Sequence, residues 1–186
     1  MNFPAGPRED HPMKASTYDV IATAARYADA ASSVAKPGDC AVVERAGVRR
    51  QLVVCCPDGC GEVLSINLDP RSGPAWRLYQ KRGIWSLFPS IDKLAGCLSH
   101  FILWRGRVLW CGAADDGGGP QEIPEIKFER IVDSLQGGRK AGFVQIAEEL
   151  DEVPWDVLAV CRSLVRRGVL EEGLGKDRGN FSVKGG

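Results

Sequence analysis

Histidine is almost missing from this chain: among 186 residues only His11 and His100 carry an imidazole. A metalloprotease or deubiquitinase-like zinc centre with two or three histidine ligands cannot be assembled from that supply. Net charge is missing as well, since 24 Lys and Arg meet 24 Asp and Glu, which removes the simplest argument for nucleic-acid or membrane affinity. No apolar run approaches the roughly 20 residues of a membrane span. The polar, proline-rich start from Met1 to Pro12 lacks the basic-then-apolar order of a secretion signal, so the expectation is a cytoplasmic protein. Neither GxGxxG nor GxxxxGK[ST] occurs, which excludes the usual glycine-rich nucleotide cradles.

What is present points to a folded chain with a metal. Hydrophobic residues make up 44% of the sequence, enough for one good-sized core or two small ones. There are seven cysteines, Cys40, Cys55, Cys56, Cys60, Cys97, Cys111 and Cys161. In a reducing compartment a cysteine cluster favours metal over disulfide, and an odd number fits a disulfide framework poorly.

The composition divides the chain into four parts. Residues 1–15 carry three prolines and no apolar periodicity and are expected to be a disordered leader. Residues 16–112 read as an N-terminal helix followed by a zinc-binding β module. The helix is expected from Ser16 to Ala35, capped by Ser16 or Thr17. Strands are expected at Cys40–Glu44, Gln51–Cys55, Glu62–Leu68, Trp76–Tyr79, Ile84–Leu87, His100–Trp104 and Arg107–Cys111, several of them joined through X-Gly turns. Residues 113–124 are a Gly-rich linker by composition. Residues 125–186 carry three helical patterns and a hairpin pattern, the order of a winged helix. Pro154 opens the third helix and Gly168 is placed to close it. The fold class is therefore α+β.

The chemical signal is Cys56-Pro57-Asp58-Gly59-Cys60 with Cys97-Leu98-Ser99-His100. Each half is a close ligand pair on turn-forming spacing, and together Cys56, Cys60, Cys97 and His100 make the four ligands of a structural zinc. Cys111 is the alternative ligand, because it ends the hairpin that starts at His100. Cys40, Cys55 and Cys161 read as buried hydrophobes. A closed four-ligand site leaves no open position for water. With His100 assigned to the metal, a nucleophilic Cys111 or Cys55 has no base. The aromatic residues of the module read as core, with Arg105 and Arg107 at a hairpin tip as its exposed candidates for partner binding.

Five segments, Cys56-Pro57-Asp58-Gly59-Cys60-Gly61-Glu62, Asn67-Leu68, Trp76-Arg77-Leu78, Leu87-Phe88-Pro89-Ser90 and Gly96-Cys97-Leu98-Ser99-His100-Phe101, together resemble a bacterial zinc-binding family known as a domain of unknown function. The resemblance covers about residues 40–112. Many members have a third cysteine inside the first turn where this chain has Asp58, which leaves Cys60 to pair with Cys56. Genes of that family often lie beside those of bacterial ubiquitin-like proteins and their activating and conjugating enzymes. The resemblance therefore implies a protein partner from such a conjugation pathway.

The function expected on these grounds is a non-catalytic zinc-binding interaction module, in the manner of a ligase-like adaptor. The alternative is a DNA-binding regulator that reads DNA with its winged helix. Ten basic and ten acidic residues fall between positions 127 and 186. Asp151, Glu152 and Asp156 crowd the helix end that would enter the major groove. Charge thus favours protein over DNA, with Trp155, Arg162 and Arg166 as the partner-facing residues.

Overall fold

The computed structural model describes residues 14–111, 126 and 128–185. Most of the expected leader and all of the expected linker lie outside the described residues. The chain separates into two compact units, Met1–Ala113 and Ala114–Gly186. Both mix helix and strand, as the composition required. No helix among the described residues is long and apolar enough to cross a membrane.

In the first unit the expected helix from Ser16 to Ala35 is corrected. Its first part is strand β1 (Asp19–Ala24), and only α1 (Tyr27–Ser33) is helical. The β-branched Val20, Ile21 and Thr23 favour the extended form, and exposure alternates residue by residue along β1. Parallel pairing with β2 (Asp39–Arg45) supplies the backbone partners. Ser16 and Thr17 are not helix caps: the Ser16 carbonyl accepts from Val108 N–H and Thr17 bridges Arg107. Tyr18 is buried and donates its hydroxyl to the Trp85 carbonyl; burial pushes its ionisation well above the usual phenol range.

β2, β3 (Val48–Cys55) and β4 (Val63–Asn67) extend the sheet antiparallel, in the order β1-β2-β3-β4. The pleat divides their side chains. Cys40, Val42, Leu52, Val54 and Ile66 face one core with Leu87, Ile91, Phe101 and Leu103. Ala41, Val43, Val53 and Cys55 face the other, against Ala30 and Val34. Small residues on that second face let the short α1 lie close. At the end of β4 the buried Asp69 carboxylate gathers the guanidinium of Arg50 and, at 2.9 Å, that of Arg71.

Two further sheets complete this unit. One is the hairpin of β5 (Arg77–Lys81) and β6 (Ile84–Phe88). The other runs in the order β7 (Ile91–Asp92), β8 (His100–Trp104) and β9 (Arg107–Trp110). Three hairpins turn through Ala46-Gly47, Arg82-Gly83 and Arg105-Gly106, each pair with both φ angles between 50° and 78°. A two-residue turn of that hand matches the twist of the flanking strands, and glycine takes its second position without cost.

The second unit contains α2 (Phe128–Ser134), β10 (Ala141–Gly142), α3 (Phe143–Leu150), α4 (Pro154–Arg166), β11 (Leu170–Glu172) and β12 (Asn180–Val183). Its sheet has the order β10-β12-β11. Ile131, Leu135, Ile146, Val157, Val160, Leu164, Leu170 and Phe181 form the core, with Cys161 among them. Burial pushes the Cys161 thiol up to about 12. Gly168, at φ +74°, follows α4 and donates to the Val165 carbonyl at 2.9 Å.

Candidate functional site

β7 and β8 are joined by the loop 93–99, and the first hydrogen bond beyond their ladder runs from Lys93 N–H to the Ser99 carbonyl at 3.0 Å. Asp92 stands across from His100, and Ile91 across from Phe101. Successive strand residues face opposite sides, and burial follows that rule. Ile91, Lys93, Ser99 and Phe101 are buried, whereas Ser90 and His100 are half-buried and Asp92 is exposed.

The buried side meets the cysteines. Cys56, Cys60 and Cys97 bring their sulfurs within 4.8 Å of one another, a group that could hold a metal ion. Cys56 and Cys60 belong to the turn after β3, where Cys56 N–H donates to the Glu62 carbonyl at 2.8 Å and Gly59 N–H to the Cys56 carbonyl at 3.1 Å. Ser99 Oγ lies 3.2 Å from Cys97 Sγ and 3.7 Å from Cys56 Sγ.

Burial pushes the Cys56 thiol up to about 12, and its sulfur neighbours Cys60 and Cys97 add to that. Burial acts the same way on Cys97, but hydrogen bonds from Ser99, Cys60 and Lys93 outweigh it and bring that thiol down to about 7.

Lys93 supplies the counter-charge. Its side chain is 6% exposed, its ammonium pairs with Glu62, and Nζ lies 3.8 Å from Cys60 Sγ. Burial alone would lower its ionisation, but the bonds to Glu62 and Cys97 raise it well above the ordinary lysine value. Gly96 makes room for this pair: at φ +73° its absent Cβ would fall 3.1 Å from Glu62 Oε2 and 3.5 Å from Lys93 Nζ. Three thiolates around a divalent ion leave one net negative charge, and the Lys93 ammonium that lies beside it is shared with Glu62. The donor set therefore fits a thiophilic ion such as zinc.

The structure brings together three of the four expected ligands and places the fourth elsewhere. Among the described residues the group comprises the three cysteines alone. His100 turns to the other side of the hairpin, where its Nε2 lies 3.0 Å from Ser90 Oγ. Cys111 is outside the group too; its backbone N–H donates to the His100 carbonyl at 2.8 Å, and burial, with Asp92 adding, raises its thiol. Ser90 follows β6 and is steadied by Trp76, whose indole N–H donates to the Ser90 carbonyl at 3.2 Å. A serine hydroxyl in hydrogen-bond reach of an imidazole is the geometry of a nucleophile and its base. Asp92, across the ladder and on the same face, is the carboxylate positioned nearest in register.

In the sequence Ser90 is marked only as the end of Leu87-Phe88-Pro89-Ser90, and no local pattern singles out Asp92, Lys93 or Ser99. The signal available was the alternation of residues 90–93 and 99–101, which needs the ladder to be read. The two carboxylates of the first turn each hold a lysine: Asp58 pairs with Lys14 at 3.0 Å, and Glu62 with Lys93.

The residues expected to face a partner lie in both units. Arg107 is exposed, whereas Arg105 is half-buried, with its backbone N–H on Ser86 Oγ at 3.0 Å. In the second unit Arg166 is exposed and Arg162 reaches Glu172 at 3.4 Å. Trp155 stacks on Phe143, with ring centroids 6.2 Å apart and planes inclined by 24°.

Residues 27–111 match the model of a family described as "Bacterial ubiquitination-like system serine protease (BubE)". The matched stretch lies within the first unit and contains Ser90, His100 and the three cysteines. No curated protein and no solved structure matches the chain.

Proposed function

We propose that the first unit is a serine protease of a bacterial ubiquitination-like system, with Ser90 as nucleophile and His100 as its general base. The observation that carries this is the 3.0 Å approach of Ser90 Oγ to His100 Nε2 on the solvent-facing side of the β7–β8 hairpin. The family match supplies the class of pathway. The expectation of a non-catalytic module rested on His100 being a metal ligand. With the imidazole on Ser90, a base is available.

In this reading Ser90 Oγ attacks a carbonyl carbon of a polypeptide substrate while its proton passes to His100 Nε2. The same proton is then delivered to the amine as the C–N bond breaks, and a water that gives its proton to His100 frees the acyl group from Ser90 Oγ. Asp92, opposite His100 in the ladder, is the carboxylate placed to orient the imidazole. Cys56, Cys60 and Cys97 hold zinc as a structural tie. When bound, that ion would fasten the loop 93–99 to the turn after β3 and so set the position of His100.

The second unit is read as a winged helix that binds protein. The order α2-β10-α3-α4-β11-β12 supports this, as do the acidic start and basic end of α4. Its partner would be a ubiquitin-like protein or an enzyme that activates or conjugates one.

The test is cleavage of a bacterial ubiquitin-like protein carrying a C-terminal extension, followed by intact mass. The full chain should remove the extension and Ser90→Ala should not, while Cys111→Ser should cleave normally. Cleavage by Ser90→Ala at the parent rate would overturn the assignment.

A further inference from the structure

The sheet β7-β8-β9 has two edges, and the chain itself covers one of them. Along β9, Val108 N–H donates to the Ser16 carbonyl at 2.9 Å and Tyr18 N–H to the Gly106 carbonyl at 3.0 Å, while Thr17 bridges Arg107 antiparallel. On the side of β7 away from β8, no strand is paired among the described residues. An edge left open is a template for another polypeptide.

The register shows which groups that edge offers. Lys93 N–H donates to the Ser99 carbonyl across the ladder. Hydrogen-bonded and non-hydrogen-bonded positions alternate along an antiparallel pair. Ile91–Phe101 is therefore a bonded position and Asp92–His100 an unbonded one. Asp92 N–H and C=O thus point away from β8, and neither makes a backbone hydrogen bond among the described residues. By the same alternation Ser90, two positions back, turns its carbonyl toward this edge, and there Trp76 Nε1–H occupies it at 3.2 Å. The edge is closed at Ser90 and open at Asp92.

We infer that the open edge of β7 binds the substrate as an added antiparallel strand, paired backbone to backbone with Asp92. This rests on the serine-protease reading, and Ser90 on the same strand is what names the occupant. Antiparallel addition runs the substrate from Asp92 toward Ser90, so the residues before the cut bond lie on the edge. The residue bonded to Asp92 is then two positions before the one whose carbonyl Ser90 Oγ attacks. It gives its N–H to the Asp92 carbonyl and accepts from Asp92 N–H. The segment held is the C-terminal tail of the ubiquitin-like protein, and the departing extension makes no bond to Asp92. Recognition through the backbone requires an extended tail and accepts differing side chains in it.

Peptidyl diphenyl phosphonates test this on the full chain, with hydrogen exchange at the Asp92 amide read by NMR. Ser90 Oγ bonds to phosphorus, a phosphorus–phenoxide bond breaks, and phenol leaves with the serine proton. One probe carries the last four residues of the ubiquitin-like protein, and the other carries the last residue alone. In the free protein the Ile91 and Lys93 amides should be protected while the Asp92 amide exchanges freely. Labelling by the longer probe should slow Asp92 exchange about tenfold, as for an amide that gains a hydrogen bond. The shorter probe should leave it unchanged. N-methylation of the longer probe, two residues before the phosphonate, should slow labelling about fivefold through the loss of one hydrogen bond. An Asp92 amide already protected in the free protein would mean that the chain or a second copy covers the edge. That result, unchanged exchange in the longer adduct, or an N-methylated probe as fast as its parent would overturn the inference and leave the nucleophile standing. Failure of both probes to label Ser90 would overturn the nucleophile, and the edge with it.

Discussion

Ser99 and His100 are consecutive, yet they serve opposite sides of one hairpin: Ser99 Oγ contacts the sulfurs of Cys56 and Cys97, and His100 Nε2 contacts Ser90 Oγ. A single peptide bond thus separates the serine on the cysteine cluster from the candidate base. The backbone needs no special geometry for this, because the pleat of a strand already sends neighbours apart. Lys93 and Asp92 repeat the division on the facing segment.

The two residues beside Ser90 should differ in importance. Replacing His100 with alanine removes the base and should lower the cleavage rate by about 10²–10⁴-fold. Asp92→Asn should lower it less, because the imidazole keeps its bond to Ser90. Steady-state cleavage of the extended ubiquitin-like protein measures both, and a fully active His100→Ala would remove histidine from the mechanism.

Metal content should separate the two sides of the hairpin. Protein prepared without added metal should contain about one zinc per chain, held through the three cysteine sulfurs. Cys60→Ser should lose it and destabilise the first unit, since structural zinc contributes roughly 10–16 kcal/mol in small metal-dependent folds. His100→Ala should retain the metal while losing cleavage. Elemental analysis and thermal melts of the three proteins give the answer.

Asp69 should be a stability residue with no part in cleavage. Its carboxylate is buried and holds Arg50 and Arg71. Asp69→Ala should cost about 3 kcal/mol, the low end for breaking a buried pair, because the guanidinium of Arg50 keeps partial access to water. Urea denaturation of the full chain measures the loss.

Cys161 predicts an alkaline weakness in the second unit. Its thiol is raised in the folded state, to about 12, so the folded chain binds a proton that the unfolded chain releases near pH 8.5. The stability this contributes is complete below that pH and is lost as pH rises toward the folded value. The folded thiol should therefore resist iodoacetamide at pH 8. Cys161→Ala should show a shallower fall of denaturation midpoint between pH 8.5 and 11.

The parts of this architecture that were legible in sequence are those set by local chemistry. Ala46-Gly47, Arg82-Gly83 and Arg105-Gly106 announce hairpins because each puts a glycine, which takes a positive φ without cost, at the second position of a two-residue turn. The stripe of α4 is readable because Val157, Cys161 and Leu164 recur at helical spacing. β1 was not legible: its alanines suit a helix, and only the parallel pairing with β2, across an intervening helix, makes the strand the better state. The Ser90–His100 pair was hidden for a related reason. β7 is two residues long, too short to show alternation, and a histidine after Cys-x-x suits a zinc ligand in every local respect. The turn spacing identified Cys56, Cys60 and Cys97 because two of them share one tight loop. The destination of the imidazole depends on which side of β8 it occupies, which sequence spacing does not reveal.

The alternation of β8 also limits how this chain can tolerate length changes. Residues may be added within the loop 94–98 while the ladder from Ile91 to Phe101 keeps its register. Deleting one residue from β8 would instead exchange its two faces at a stroke. The imidazole would then swing toward the sulfurs and a hydrophobic side chain would come to lie beside Ser90. Variation in hairpin length should therefore be accommodated at the tip, while the strand beneath it admits substitutions but no insertions or deletions.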